Sequence, residues 1–340
     1  MVEDTPGYLV VSKCLIAPKY KFYTMGNHLH SSEPTMADRR VLVFGATGQQ
    51  GGAVASALIK NGWPVRALVR SPDSAKAKAL AATGVEVVQG DFTDVSSMQT
   101  AMAGVYGVFS VQPSSGQGAV YGVSDEDEVR YGTMITDLAV AADVQHFVYT
   151  SVNAAGPEKT GMGHFDSKSE IEAHVRRSTL RSTILRPAGF MELLMLPGMG
   201  LDQGIFTSFL RPDQQGQIIA AADIGKIVAA VFGDVDRFAG QTIEIAGDSV
   251  TGASLQQSLT RAASRPITYH RFPDSLLQEN TFLGRLADLF DDGRLAGRAD
   301  IETLQSTFGP LLTFDAWLAG PGKPLFEAAL KAEAAPIALR

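Results

Sequence analysis

Val41-Leu-Val-Phe-Gly45-Ala-Thr-Gly48-Gln-Gln-Gly51 sets a short apolar run directly against a glycine-rich turn. The run 41–44 has no polar position, as a strand buried on both faces requires. The glycines are spaced G-x-x-G-x-x-G, and helical periodicity follows through Val54, Ala55, Leu58 and Ile59 until Asn61-Gly62. A second strand, Val65-Arg-Ala-Leu-Val69, completes a βαβ pattern within about 30 residues, the context in which such a turn cradles a pyrophosphate. Glycine serves there for the tight turn, for close backbone approach to the phosphates and for seating the helix on the sheet. The helix N-terminus then offers unpaired N–H groups and partial positive charge. The turn residues Gly45, Thr47, Gly48, Gln49, Gln50 and Gly51 are therefore expected to bind a dinucleotide.

Outward from this unit the same rhythm repeats. Strands are expected at 85–88, 105–111, 146–150 and 182–185. Helices are expected to open at Ser71-Pro72 and to span 96–102, 125–142 and 165–177. Parallel strands need crossover connections of this length, so the fold class is α/β, a Rossmann-type doubly wound parallel sheet. After Pro187 the regularity weakens. Strands at 217–221 and 242–246 are each followed by a helix, for which Asp223 and Thr251 are the expected caps. The expected organisation is a binding domain over 39–187 and a smaller, loop-rich α+β substrate or lid region over 188–325, interleaved with the main sheet, with a tail over 326–340. Residues 1–38 do not share the pattern. Met36 followed by Ala-Asp-Arg-Arg and a strand is the more natural start, and the preceding stretch reads as a disordered extension in which His28-x-His30 holds no metal.

Composition removes several function classes. The 340 residues are 45% apolar and 19% charged, and 29 Lys+Arg against 36 Asp+Glu give a net charge of −7. No basic block supplies the footprint of direct nucleic-acid binding. The single cysteine, Cys14, excludes an intramolecular disulfide and suits a reducing, cytoplasmic setting. No apolar run approaches the roughly 20 residues of a membrane span. No His, Cys and Asp set has metal-ligand spacing, so no metal is expected. Ser124-Asp-Glu-Asp-Glu128 reads as acids complementing a helix dipole, and Asp291-Asp292 as a solvated loop pair. Ser151 with His164 lacks a G-x-S-x-G elbow, which argues against a hydrolase.

The second strand discriminates between cofactors. An acid at its end would hold a ribose 2′-hydroxyl; here Val69 is followed by Arg70, whose guanidinium suits a 2′-phosphate and favours NADP(H). Lys76 and Lys78 add charge nearby, or form a solvated helix face. Asp91, after the third strand, reaches an adenine or caps a turn.

Gly45-Ala-Thr-Gly-Gln-Gln-Gly-Gly52, Val87-Val-Gln-Gly-Asp91 and His164-Phe-Asp-Ser-Lys168 together resemble the NmrA-like family, atypical relatives of the short-chain dehydrogenases, and within it the mammalian NADPH-sensing branch. The resemblance runs from about Arg39 through Leu312-Thr-Phe-Asp-Ala-Trp317. It implies that Gly45, Gly48, Gln50 and Gly51 lie on the phosphates, Arg70 on the 2′-phosphate and Asp91 and Phe92 near the adenine. It further implies Lys168 on the nicotinamide ribose, with Thr150 and Ser151 lining the nicotinamide side. Arg186-Pro187 and Phe190-Met-Glu192 match the family, but Leu193 stands where it often has Asn.

Catalytic short-chain dehydrogenases carry Tyr-x-x-x-Lys on one helix face. Here His164 takes the tyrosine's place ahead of Lys168, and an imidazole can shuttle a proton near neutral pH. His164 and Lys168 are thus the candidate catalytic pair. The expected function is a redox-sensing or regulatory NADP(H) binder with little dehydrogenase activity, using the loop 112–123 as its mobile part and a protein as its partner. The alternative is an NADPH-dependent reductase of a small apolar carbonyl, quinone or enone, its pocket walled by the segment Phe190 to Phe209, with Met191, Leu193, Leu194, Met195, Leu196, Met199 and Phe206. A homodimer is compatible with both, and a DNA-binding regulator is disfavoured by the acidic balance.

Overall fold

The computed structural model describes residues 39–117 and 122–332. The extension with Cys14 and His28-x-His30, the loop tip 118–121 and the end of the expected tail lie outside them.

The apolar run at 41 forms β1 (Val41–Val43), and α1 (Gln49–Lys60) and β2 (Val65–Val69) complete the first unit. Next come α2 (Ala75–Ala82), β3 (Glu86–Gln89), α3 (Val95–Met102), β4 (Gly107–Ser110) and α4 (Asp125–Ala141), then β5 (His146–Thr150), α5 (Gly163–Arg177) and β6 (Ser182–Pro187). The chain continues through β7 (Gly189–Phe190), β8 (Ile205–Ser208), β9 (Gly216–Ile219), α6 (Ala221–Gly233) and α7 (Val235–Phe238) before β10 (Thr242–Ile245) returns to the edge of the main sheet. The resulting seven-stranded sheet has the order β10-β6-β5-β4-β1-β2-β3 and is parallel throughout. Its order reverses between β1 and β4, which opens the crevice at the carboxyl ends where doubly wound folds bind ligands.

Every residue of β1 and β5 is buried, because helices cover both faces. Val54 and Leu58 of α1 join Ile224 and Ile227 of α6 in one core, while Met98, Ile135 and Ile171 of α3, α4 and α5 fill the other. Beyond β10 the chain forms β11 (Asp248–Val250), α8 (Gly252–Ala263), β12 (Thr268–Arg271), α9 (Asp274–Glu279), α10 (Thr281–Asp291), α11 (Ile301–Phe308), α12 (Phe314–Ala319) and α13 (Lys323–Ala329). Most of these elements gather around a further apolar core with Met191, Phe206, Leu259 and Trp317, whereas Leu304 and Phe308 of α11 join the core of α1 and α6.

Several local expectations are corrected. Helix α2 does not open at Ser71-Pro72; Ser74 is its cap, accepting from Ala77 N at 3.3 Å. Thr251 caps α8 in a capping box, as expected, but Asp223 does not cap α6. It lies inside the first turn of α6, and its carboxylate accepts from Leu312 N at 2.7 Å. The carboxylate of Glu192, from outside the helix, accepts from Ala221 N at 3.0 Å instead. The region after Pro187 combines short strands with helices, and Phe326, expected in the tail, is buried within α13. Asp291 is not merely solvated: it receives Arg211 and Arg271, each at 2.8 Å, while Asp292 holds Arg294.

Candidate functional site

Between β1 and α1 the chain turns as only glycine permits. Gly45 has φ +64°, and a Cβ there would lie 2.8 Å from Val111 Cγ1. At Gly51 a Cβ would lie 2.3 Å from Gly45 O, so the first turn of α1 rests directly on the backbone of the strand's end. No side chain caps α1 and no acid stands in its first turn. Helix α4, by contrast, carries a Ser124 cap and four acids in its first turn. The leading N–H groups of α1 are thus left to an anion at the switch point, and the residues present fit the phosphates of a dinucleotide. Gln50 reaches across the crevice and donates from Nε2 to Thr150 Oγ1 at 2.6 Å, tying the turn to the end of β5.

The crevice beside β2 and β3 is less occupied by specific contacts. Arg70 is exposed just past β2 and forms no salt bridge among the described residues. Lys78 pairs with Asp73 at 3.4 Å, both well exposed. Asp91 accepts from both the N–H and the hydroxyl of Thr93 at 2.7 Å, so it closes the turn before α3. The Thr93 hydroxyl and N–H, with the Arg70 charge a smaller cause, hold the Asp91 carboxyl below its usual range. Phe92 packs between Phe44 and Tyr131, at centroid distances of 5.7 and 5.3 Å.

On the other side of the switch point lies a cavity of about 370 Å³. Gln50, Thr150, Ser151, Lys168 and Glu128 form its polar end at the sheet edge. Its remaining wall is largely apolar, with Phe190, Leu194, Phe209, Leu255, Leu286 and Phe290. Of the wall expected from sequence, Phe190, Leu193, Leu194, Met199 and Phe209 line it. Met191, Met195 and Phe206 are instead core residues beside it, and Leu196 faces a separate groove with Leu325. Leu255, Leu286 and Phe290 carry no periodic or motif signal that assigns them to this wall; the folding of α8 and α10 over the sheet edge brings them there.

Lys168 and His164 share α5 but face different surroundings. Lys168 donates to Glu128 Oε1 at 2.5 Å, to His164 O at 3.0 Å and to Ser114 Oγ at 3.2 Å. Ser114 in turn donates to Glu128 Oε2 at 2.8 Å. Next to it, Ser115 hydrogen-bonds Asp125. The acids of α4, expected mainly to complement the helix dipole, thus have specific partners as well at Asp125 and Glu128. The signal was present: Glu128 shares a helical stripe with the buried Tyr131, Gly132, Ile135 and Ala139, where a charge needs a partner. His164 does not line the cavity; its ring packs on Phe165 and Phe282 at 4.0 and 5.5 Å. The residues 114–117 lie so close over it that a Cβ on Gly116 would be 2.7 Å from its Cδ2.

A parallel doubly wound sheet with an uncapped glycine turn at its switch point defines a Rossmann-type α/β protein. The chain belongs to the NmrA-like family, whose model matches residues 37–308. An NmrA-like family domain-containing oxidoreductase of Aspergillus hancockii is 32% identical over 237 residues, covering 63% of this chain and 69% of the relative. The crystal structure of NmrA, a negative transcriptional regulator, in complex with NADP superposes with a TM-score of 0.69 at 20% identity, covering 86% of this chain and 98% of that one. An NADPH-dependent quinone oxidoreductase from Escherichia coli gives a TM-score of 0.63 at 26% identity, over 82% and 98% of the two chains. No helix among the described residues is long and apolar enough to cross a membrane.

Proposed function

We propose that this protein binds NADP(H) across the switch point and reduces a flat, uncharged, apolar acceptor. The cavity carries this reading: its apolar wall closes on a polar end formed by Thr150, Ser151 and Lys168, where the nicotinamide side of the crevice lies. The uncapped α1 takes the pyrophosphate, Arg70 the 2′-phosphate and Lys168 the nicotinamide ribose. When bound, the cofactor supplies a hydride. Phe190, Leu194, Phe209 and Phe290 hold the acceptor against that end and keep water from it. The hydroxyls of Thr150 and Ser151 and the Lys168 ammonium are the proton-bearing groups there, whereas His164 supports the strap above α5. The oxidoreductase name of the Aspergillus hancockii relative and the quinone chemistry named for the Escherichia coli structure support this choice over a non-catalytic binder.

The binder reading keeps one observation of its own. Ser114 and Ser115 are fastened to Glu128 and Asp125 beside Lys168, so occupancy there can be transmitted to the segment 112–117 and through it to a protein partner. Titration with NADPH, NADP⁺ and NADH, followed by NADPH oxidation with quinones and aldehydes, separates the two. Tight NADPH binding with turnover of apolar quinones is expected; tight binding without turnover of any acceptor would sink the reductase reading.

A further inference from the structure

We infer that Glu128 is a positioning residue: it fixes the Lys168 ammonium at the polar end of the cavity. The inference rests on the proposed role of Lys168 at the nicotinamide ribose. Glu128 and Lys168 are 40 residues apart in sequence; the two meet only because α4 and α5 pack side by side on one face of the sheet. The Glu128 side chain is 1% exposed and that of Lys168 18% exposed, so the pair sits where an unpartnered charge is costly. A lysine ammonium has three N–H donors. All three are engaged, by Glu128 Oε1, His164 O and Ser114 Oγ. The carboxylate is equally committed, since its second oxygen accepts from Ser114.

This arrangement does more than neutralise a charge. A four-carbon lysine stem is flexible, and an ammonium held by one partner can swing. Held from three directions, it is confined to one place on the wall that it shares with Gln50, Thr150 and Ser151. Of the three holds, the Ser114 contact is the longest at 3.2 Å and the only one to a neutral side chain, so it is the one that yields to an arriving ribose hydroxyl. Glu128 and the His164 carbonyl remain and keep the ammonium aimed. Glu128 therefore acts through Lys168 and does not itself touch the cofactor.

The test measures dissociation constants for NADPH and for adenosine 2′,5′-bisphosphate, which carries the 2′-phosphate but has no nicotinamide ribose. The proteins are the parent, Glu128→Gln, Lys168→Met and the double variant. Glu128→Gln is expected to weaken NADPH binding about tenfold, the scale of one charge-assisted hydrogen bond, and to leave the bisphosphate unchanged. In the Lys168→Met background it is expected to cost nothing further. Unchanged NADPH affinity in Glu128→Gln would overturn the inference, as would losses that multiply in the double variant or an equal loss for the bisphosphate. Unchanged affinity in Lys168→Met would instead show that the reading of Lys168 itself is wrong, and the inference would fall with it. Glu128→Asp keeps the charge but withdraws it by one methylene, so it serves if Glu128→Gln does not fold; it is expected to weaken NADPH about fivefold in the same selective way.

Discussion

Arg70 and His146 show how single side chains carry consequences that their neighbours decide. Arg70 stands exposed at the end of β2 with no salt bridge among the described residues, so its guanidinium is available to a 2′-phosphate. Arg70→Ala is expected to weaken NADPH by about tenfold or more and to leave NADH nearly unaffected, as read by calorimetric titration. His146, at the start of β5, is buried and neutral. The Thr183 hydroxyl donates to Phe238 O at 2.9 Å, so the His146 Nε2–H must donate to Thr183 Oγ1, also at 2.9 Å. Nδ1 is buried without a partner, and a proton there would have no acceptor. Burial, with the Arg181 charge, lowers the imidazole pKa to about 4. Above the unfolded value near 6.5 the group leaves stability untouched. As pH falls below that value, the unfolded chain binds a proton that the folded chain refuses. Stability is then lost progressively until about pH 4, by about 3 kcal/mol in all. Urea unfolding of the parent and His146→Gln across this window checks the sign: the variant is expected to lose the part of the slope that His146 contributes.

At the scale of elements, Glu192 and α6 illustrate a cap that no local pattern announces. Asp223 sits in the first turn of α6 and looks like the natural cap, yet Ala220 occupies the cap position and has no side-chain oxygen to offer. Glu192, 29 residues earlier, supplies the oxygen, accepting from Ala221 N at 3.0 Å. Glu192→Ala is expected to destabilise the protein by about 1 kcal/mol, the usual scale of a lost helix cap, measured by denaturant midpoint. Local caps were legible: Thr251 before α8 follows the sequence rule because both partners lie within one turn. Remote ones were not, since Glu192 and Ala221 are joined only by the packing that brings the 3-10 turn Met191–Met195 against α6. The strands of the first half were read to within a residue or two because each is a short apolar-rich run bounded by turn residues, unbroken at the fully buried β1, interrupted by a single polar residue at β2 and bordered by polar residues at β5. The strand expected at 217–221 is β9, but its short partners β7 and β11, and the pair β8–β12, escaped, being only two to four residues long.

For the whole molecule, the decisive feature is the meeting of the sheet's carboxyl edge with the helices that follow β10. Leu193 lies on the wall of the cavity and is 42% exposed, so a long charged side chain there can reach into the cavity without disturbing a core. Leu193→Arg is expected to leave the melting temperature and NADPH affinity nearly unchanged while reducing turnover of an apolar quinone by more than about tenfold, through the cost of placing a charge beside an apolar ligand. Unchanged turnover would place the acceptor elsewhere.

The glycine turn, the alternation of strands and helices and the arginine after β2 were determined by sequence alone, because each depends on neighbours within about 30 residues. That range suffices for a turn, an amphipathic stripe or the reach from one strand to the next. The partner of Lys168, the separation of His164 from the cavity and most of the cavity's apolar wall were decided only by tertiary structure. Glu128 and Lys168 are 40 residues apart, and Phe290 lines the same cavity as Thr150 only because α10 folds back over the sheet. Sequence proximity put His164 and Lys168 on one helix, but the packing of Phe282 and Gly116 around the imidazole turned it away from the cavity that the lysine lines.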